Sequence, residues 1–205
     1  MVVISDIQDQ LGQQVTSSIG IDKCSHVHCD VSDEDQFKKT VESTVQKYGR
    51  LDIMFSNAGI VSASEQTVLE LEFSQFDRLF AINARGMALC MTTPSQERKS
   101  RTDYCMTKHA VLGLVRSASV QLGVHGIRVN FASPYVVATP MVFKALGISN
   151  AGKEEEVEKI FEPYAVLNGV LKAKNIADAV LSLASDDSER VTGHNLVVDG
   201  GYIPS

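Results

Sequence analysis

The stretch Tyr104-Cys105-Met106-Thr107-Lys108 sets a phenol and an ammonium four residues apart. On a helix that spacing puts both side chains on one face. An unperturbed tyrosine ionises near pH 10, so it exchanges protons poorly at neutral pH unless a neighbouring cation stabilises its phenolate. Lys108 is spaced to be that cation, which makes the pair a candidate acid–base couple. Taken alone, the spacing also fits an ordinary exposed tyrosine and lysine. Other candidates have less to offer. His26 and His28 alternate on one strand face as a metal pair would, but no third ligand accompanies them, and they read as structural, like His109 and His125. Cys24, Cys29, Cys90 and Cys105 form neither a C-x-x-C pair nor a zinc-like spacing, so reduced thiols and a cytoplasmic compartment are expected.

The elements that must position these groups follow from periodicity. Short β-branched runs alternate with longer amphipathic stretches, the pattern of a parallel sheet covered by helices. Strands are expected at 2–4, 25–29, 51–56, 127–133 and 195–199, and helices over 33–49, 74–91, 102–123 and 173–187. Ser32 or Asp33 caps the first helix and Ser74 the second. Tyr104 and Lys108 then fall in the first two turns of the third. Residues 92–101, TTPSQERKSR, match neither period, and Pro94 argues against a continuing helix. With 205 residues and 44% hydrophobic content, the chain is expected to form a single domain over 1–205. A net charge of −6 with scattered Lys and Arg offers no basic stripe, so neither nucleic acid nor a membrane is expected as a partner. The opening MVVISD has no basic leader region and too short an apolar run for a membrane span.

Read in order, the chain carries Asp6 closing a strand, CDVSD at 29–33, NAG at 57–59, Asn83 in AINARG, YCMTK at 104–108, RVNFASPYVVATPM at 128–141 and TGHNLVVDGG at 192–201. This series resembles the short-chain dehydrogenase/reductase family over essentially the whole chain. Within it, SPY at 133–135 and YGRLDIMFSNAGI at 48–60 resemble the plant secoisolariciresinol dehydrogenase-like group. The resemblance implies an α/β fold, a Rossmann-like doubly wound parallel sheet of order 3-2-1-4-5-6 with a seventh strand beyond the sixth. It implies NAD as cofactor. Tyr104 would exchange the proton of an alcohol or carbonyl while a hydride passes to or from the nicotinamide, and Lys108 would also hold the nicotinamide ribose.

The same resemblance assigns the other candidates. Asp6, with Ile7 beside it, stands where doubly wound folds place a carboxylate on the adenosine ribose, which favours NAD because a 2'-phosphate would be repelled. A cap or turn aspartate is the alternative. Asp30 and Val31 match residues flanking the adenine, or else a strand-to-helix cap. Asn57, Ala58 and Gly59 match the turn beside the cofactor, their small size letting backbone approach it, or else a plain tight turn. Asn83 would join a water relay near Lys108; the alternative is a helix-surface asparagine, although Asn is unfavourable mid-helix. Pro134, Val137 and Thr139 match the loop that contacts the nicotinamide and diphosphate, while Tyr135 replaces the more usual glycine and Val136 is a milder departure.

Two family segments are expected to be lacking: the first strand with its Gly-rich diphosphate turn, and the fifth strand ending at the catalytic serine, where TTPSQERKS stands instead. Neither Ser95 nor Ser100 follows an apolar strand, so neither inherits that role. The sheet should then survive as the pieces 3-2, 4 and 6-7 with open edges. The functional expectation is an NAD-dependent oxidoreductase acting on a small cyclic or phenolic alcohol or ketone of specialised metabolism, impaired in this form. The alternatives are an inactive paralogue or alternative gene product that acts by association with intact relatives, and a truncated product that does not fold stably. Residues 141–170 should shape the substrate pocket, with Phe143, Phe161 and Tyr164 as aromatic contacts and the acidic run KEEEVEK as a solvated helix face. A small-molecule substrate is the expected partner, and self-association into a homo-oligomer is the family's implication.

Overall fold

Two parallel strand pairs carry the structure. The first is built by β1 (Val2–Asp6) and β2 (Cys24–His28), in register from Val2 opposite Cys24 to Asp6 opposite His28. The computed structural model describes residues 1–62, 71–86, 102–148 and 153–202. Helix α1 (Asp9–Ile19) connects the two strands and packs on β2. The sequence reading leaves α1 out, although Leu11, Val15 and Ile19 recur at helical spacing and Gly20, at φ 110°, ends the helix where a side chain would be strained. Gly12 allows its close seat: a Cβ there would lie 2.0 Å from the His26 ring. His28 meets Asp9 at 2.9 Å, so both histidines serve the packing of α1.

Helix α2 (Glu34–Tyr48) starts at Asp33, not Ser32, because the Asp33 carboxylate accepts the Gln36 N–H at 3.0 Å. Helix α3 (Phe73–Phe80) begins after Glu72, and Ser74 is not its cap: its hydroxyl donates to Glu72 Oε1. The expected helix over 74–91 does not continue as α-helix, since the backbone widens into a π-helical turn over Ala81–Gly86; residues 87–91 lie outside the described residues. Helix α4 (Thr102–Gly123) has the expected bounds. Its Val111, Val115 and Ala118 share a face and form the hydrophobic core with Val129 and Phe131.

The second pair is β3 (Phe131–Pro134) beside β4 (Asn195–Val198), in parallel register. The expected strand over 127–133 is shortened because side chains replace the ladder at its start. The Arg128 guanidinium donates to the carbonyls of Leu183 and Ser185, Thr192 Oγ1 accepts the Val129 N–H, and the Asn130 amide donates to Val191 O. Those carbonyls close helix α7 (Ala173–Ala184), which ends short of 187 in a 3₁₀ turn over Asp186–Ser188. Between β3 and α7 come α5 (Pro140–Leu146) and α6 (Glu154–Phe161). The acidic run does form the outer face of α6, with Val157 turned fully inward.

The strand expected at 51–56 is not formed. A strand requires a neighbour for its N–H and C=O groups, and among the described residues none pairs with this run. Leu51, Ile53, Met54 and Phe55 stay 41–60% exposed as a result. The strands therefore form two separate two-stranded sheets among the described residues, the expected pieces 3-2 and 6-7, and only the piece expected at 51–56 is not formed as a strand.

Candidate active site

The π-turn after α3 gives Asn83 its place. The side chain is fully buried, its Oδ1 accepting the Ile60 N–H at 2.8 Å and its Nδ2 donating to Ile60 O at 2.8 Å. An asparagine that is costly within a helix thus supplies the ladder-like pair that an unpaired segment lacks. The helix-surface alternative for Asn83 does not hold. The clamp draws the loop Asn57-Ala58-Gly59 against the helix, so closely that a Cβ on Gly59 would sit 3.3 Å from Asn83 Oδ1 and 4.0 Å from Lys108 Nζ. Gly86, one turn on, admits Val31: a Cβ there would meet the Val31 carbonyl at 2.9 Å. Asn57 itself is exposed, and Ala58 and Gly59 are half-buried.

Across this clamp lies the first half of α4. Lys108 Nζ stands 5.4 Å from the centroid of the Tyr104 ring, a cation–π distance, so the two side chains share a face as their spacing predicts. Burial pushes the Lys108 ammonium down from 10.5 to about 8. The Thr107 hydroxyl returns to Tyr104 O at 2.8 Å and turns its own side chain inward. Asp103, on the same inner stripe as Thr107, is fully buried with neither carboxylate oxygen hydrogen-bonded among the described residues, a cost that the adjoining helix N-terminus offsets in part.

A cleft of about 510 Å³ opens beside the clamp, with Gly59, Ile60 and Val61 on one wall and Pro140, Met141, Lys144 and Ile148 on the other. Thr139 precedes α5 as its N-cap residue, which sets the 137–139 loop at the head of that second wall. Gly59, Asn83, Tyr104 and Lys108 are thereby brought together, and Val31 joins them through Gly86. The remaining candidates sit at strand ends. Asp6 is exposed and accepts the Gln8 N–H at 2.9 Å, and Ile7 is 59% exposed. Asp30 accepts both the N–H and the hydroxyl of Ser32, so its turn role is present as well. Pro134 closes β3, and Val137 and Thr139 are half-buried.

Tyr135 faces elsewhere. Its ring stacks on Tyr202 at 4.2 Å and meets Phe161 edge-on at 6.0 Å, lining a second cleft of about 460 Å³ with α6 and the end of β4. Phe161 is the one aromatic of the expected trio on a cleft wall among the described residues; Phe143 is buried in the core and Tyr164 is largely exposed. The sequence reading missed Ile60, whose backbone role leaves no signal, and Gly86, whose place in a helical run was a signal of close packing. Lys144 was missed too.

Parallel strand–helix–strand units and a half-buried Tyr–Lys pair behind the Gly59 wall of a cleft define a Rossmann-like fold of the oxidoreductase kind. The family model described as enoyl-(acyl carrier protein) reductase matches residues 1–101 and 93–203, two pieces that overlap at 93–101. The chain is 46% identical to a (+)-cis,trans-nepetalactol synthase of Nepeta racemosa, covering 98% of this chain and 81% of that one. It is 45% identical to a mitochondrial (−)-isopiperitenol/(−)-carveol dehydrogenase of Mentha piperita (98% and 82% covered) and 40% identical to secoisolariciresinol dehydrogenase of Forsythia intermedia (98% and 79%). The solved structure of ElxO with NADP bound matches with a TM-score of 0.85 at 25% identity, covering 98% of this chain and 87% of that chain. The chain belongs to the short-chain dehydrogenase/reductase family. The three relatives align over 222 to 224 columns, against 205 residues here, so they carry residues within the aligned stretch that this chain lacks.

Proposed function

We propose that this protein is a nicotinamide-dependent alcohol dehydrogenase or ketone reductase acting on small, largely apolar cyclic alcohols, with NAD preferred over NADP. The observation that carries the reading is the half-buried Lys108 beside the Tyr104 ring, directly behind Gly59 on the cleft. Gly59 suits a dinucleotide there, because it presents bare backbone to the cleft while Asn83 and Lys108 pack behind it. When bound, the nicotinamide supplies the hydride chemistry. Tyr104 moves the alcohol proton, the charge on Lys108 favours its phenolate, and Asn83 holds the loop that forms the cleft wall. Ile60, Val61, Met141 and Ile148 make that cleft apolar, in keeping with the terpenoid and lignan alcohols named for the relatives. Asp6 at the end of β1 favours a free ribose hydroxyl.

Turnover is impaired in this reading, because TTPSQERKS supplies no apolar strand ending in a serine aimed at the substrate oxygen. The test is oxidation of a panel of cyclic terpenoid and phenolic alcohols with NAD and with NADP, by the chain as it stands and by a version carrying the relatives' segment in place of TTPSQERKS. NAD-linked oxidation, raised by the insertion, is expected. Equal or better use of NADP overturns the role of Asp6, and equal activity without the insertion overturns the impairment. A second reading, association with intact relatives, is favoured by the exposed apolar run at 51–55. A homo-oligomer would use the same surface.

A further inference from the structure

We propose that Lys144 is an anion-binding residue that holds the diphosphate of the dinucleotide; this rests on the nicotinamide reading above. Pro140, Met141, Lys144 and Ile148 recur at intervals of three and four along α5 and its end, so they form one stripe, and that stripe faces Gly59, Ile60 and Val61 across the cleft. Three members of the stripe are apolar. Lys144 is the one charged residue among the described residues lining the cleft, and its ammonium makes no ion pair or hydrogen bond among them. The opposite side of the same helix carries Phe143 into the core, so the stripe is held toward the cleft by packing.

Lys144 is exposed at the rim of that apolar wall, where its unpaired ammonium offers a partner to an anion lying in the cleft. A non-phosphorylated alcohol substrate brings none. The dinucleotide brings its diphosphate, and in NADP a 2'-phosphate, which the Asp6 assignment places at the far, ribose end. A lysine in the last turn of α5 also complements that helix's C-terminal carbonyls, and this plainer role predicts a change in stability without a change in ligand affinity.

The experiment titrates the whole chain, and its Lys144→Gln and Lys144→Arg variants, with NADH, NADPH, ADP, inorganic pyrophosphate and adenosine, following binding by calorimetry and folding by thermal unfolding. Lys144→Gln should weaken NADH, ADP and pyrophosphate about tenfold, with adenosine unchanged and Lys144→Arg close to wild type. NADH and ADP affinities unaltered in Lys144→Gln overturn the inference, whether or not the unfolding temperature moves. Pyrophosphate binding that depends on Lys144, in a chain that takes up neither NADH nor NADPH, supports the anion site and overturns the nicotinamide reading. A chain that binds none of the phosphorylated probes overturns both.

Discussion

Lys108 shows how burial can turn one side chain into both a cost and a tool. Folded, it holds its proton to about pH 8, against 10.5 when exposed. Between those values the unfolded chain binds more protons than the folded one, so stability rises with pH across that window, and below it the full penalty of burying the ammonium is present. Lys108→Met should therefore raise the unfolding temperature at pH 7, with the gain shrinking as the pH approaches 10.5. Activity should move the other way, falling in the wild type as the pH passes about 8 and the cation is lost. Thermal unfolding and rate profiles across pH check both, and a variant less stable than wild type at pH 7 contradicts the assignment. The spacing of Tyr104 and Lys108 was legible in the sequence because a four-residue interval has one meaning on a helix. Asn83 was legible as an anomaly only, since its partner is the Ile60 backbone, which no side-chain pattern encodes.

At the scale of elements, the clamp between the π-turn and the 57–60 loop replaces strand pairing. Asn83→Ala should leave the Ile60 N–H and C=O unpaired and destabilise the fold by about 2 kcal/mol, measured by denaturant unfolding. Asn83→Asp keeps the acceptor for the Ile60 N–H and loses the donor to its carbonyl, so it should fall between. Wild-type stability in the alanine variant would show that the loop is held by something else. Helix α2, with its Asp33 cap, and helix α4, with its apolar stripe, could be read from sequence. The 51–56 run could not, because its alternation is that of a strand and only the absence of a neighbour keeps it from being one. The start of the 127–133 run was misjudged for a related reason: Arg128 and Asn130 spend their side chains on the carbonyls of distant segments, which local periodicity does not record.

The molecule as a whole keeps the family's parallel strand–helix–strand units as two separate strand pairs among the described residues. A net charge of −6 opposes association, yet Ile53, Met54 and Phe55 lie exposed on a segment whose backbone has no ladder. Sedimentation over a range of concentrations should show self-association that Phe55→Lys reduces, and a monomer at every concentration contradicts this. The central claim is that Tyr104 moves the proton while the cleft holds the reacting partners. Single-turnover oxidation of a cyclic alcohol by wild type and by Tyr104→Phe, with far-UV circular dichroism as the control, tests it most directly. A loss of about a hundredfold or more with an unchanged spectrum is the predicted result; full turnover in Tyr104→Phe would contradict the account.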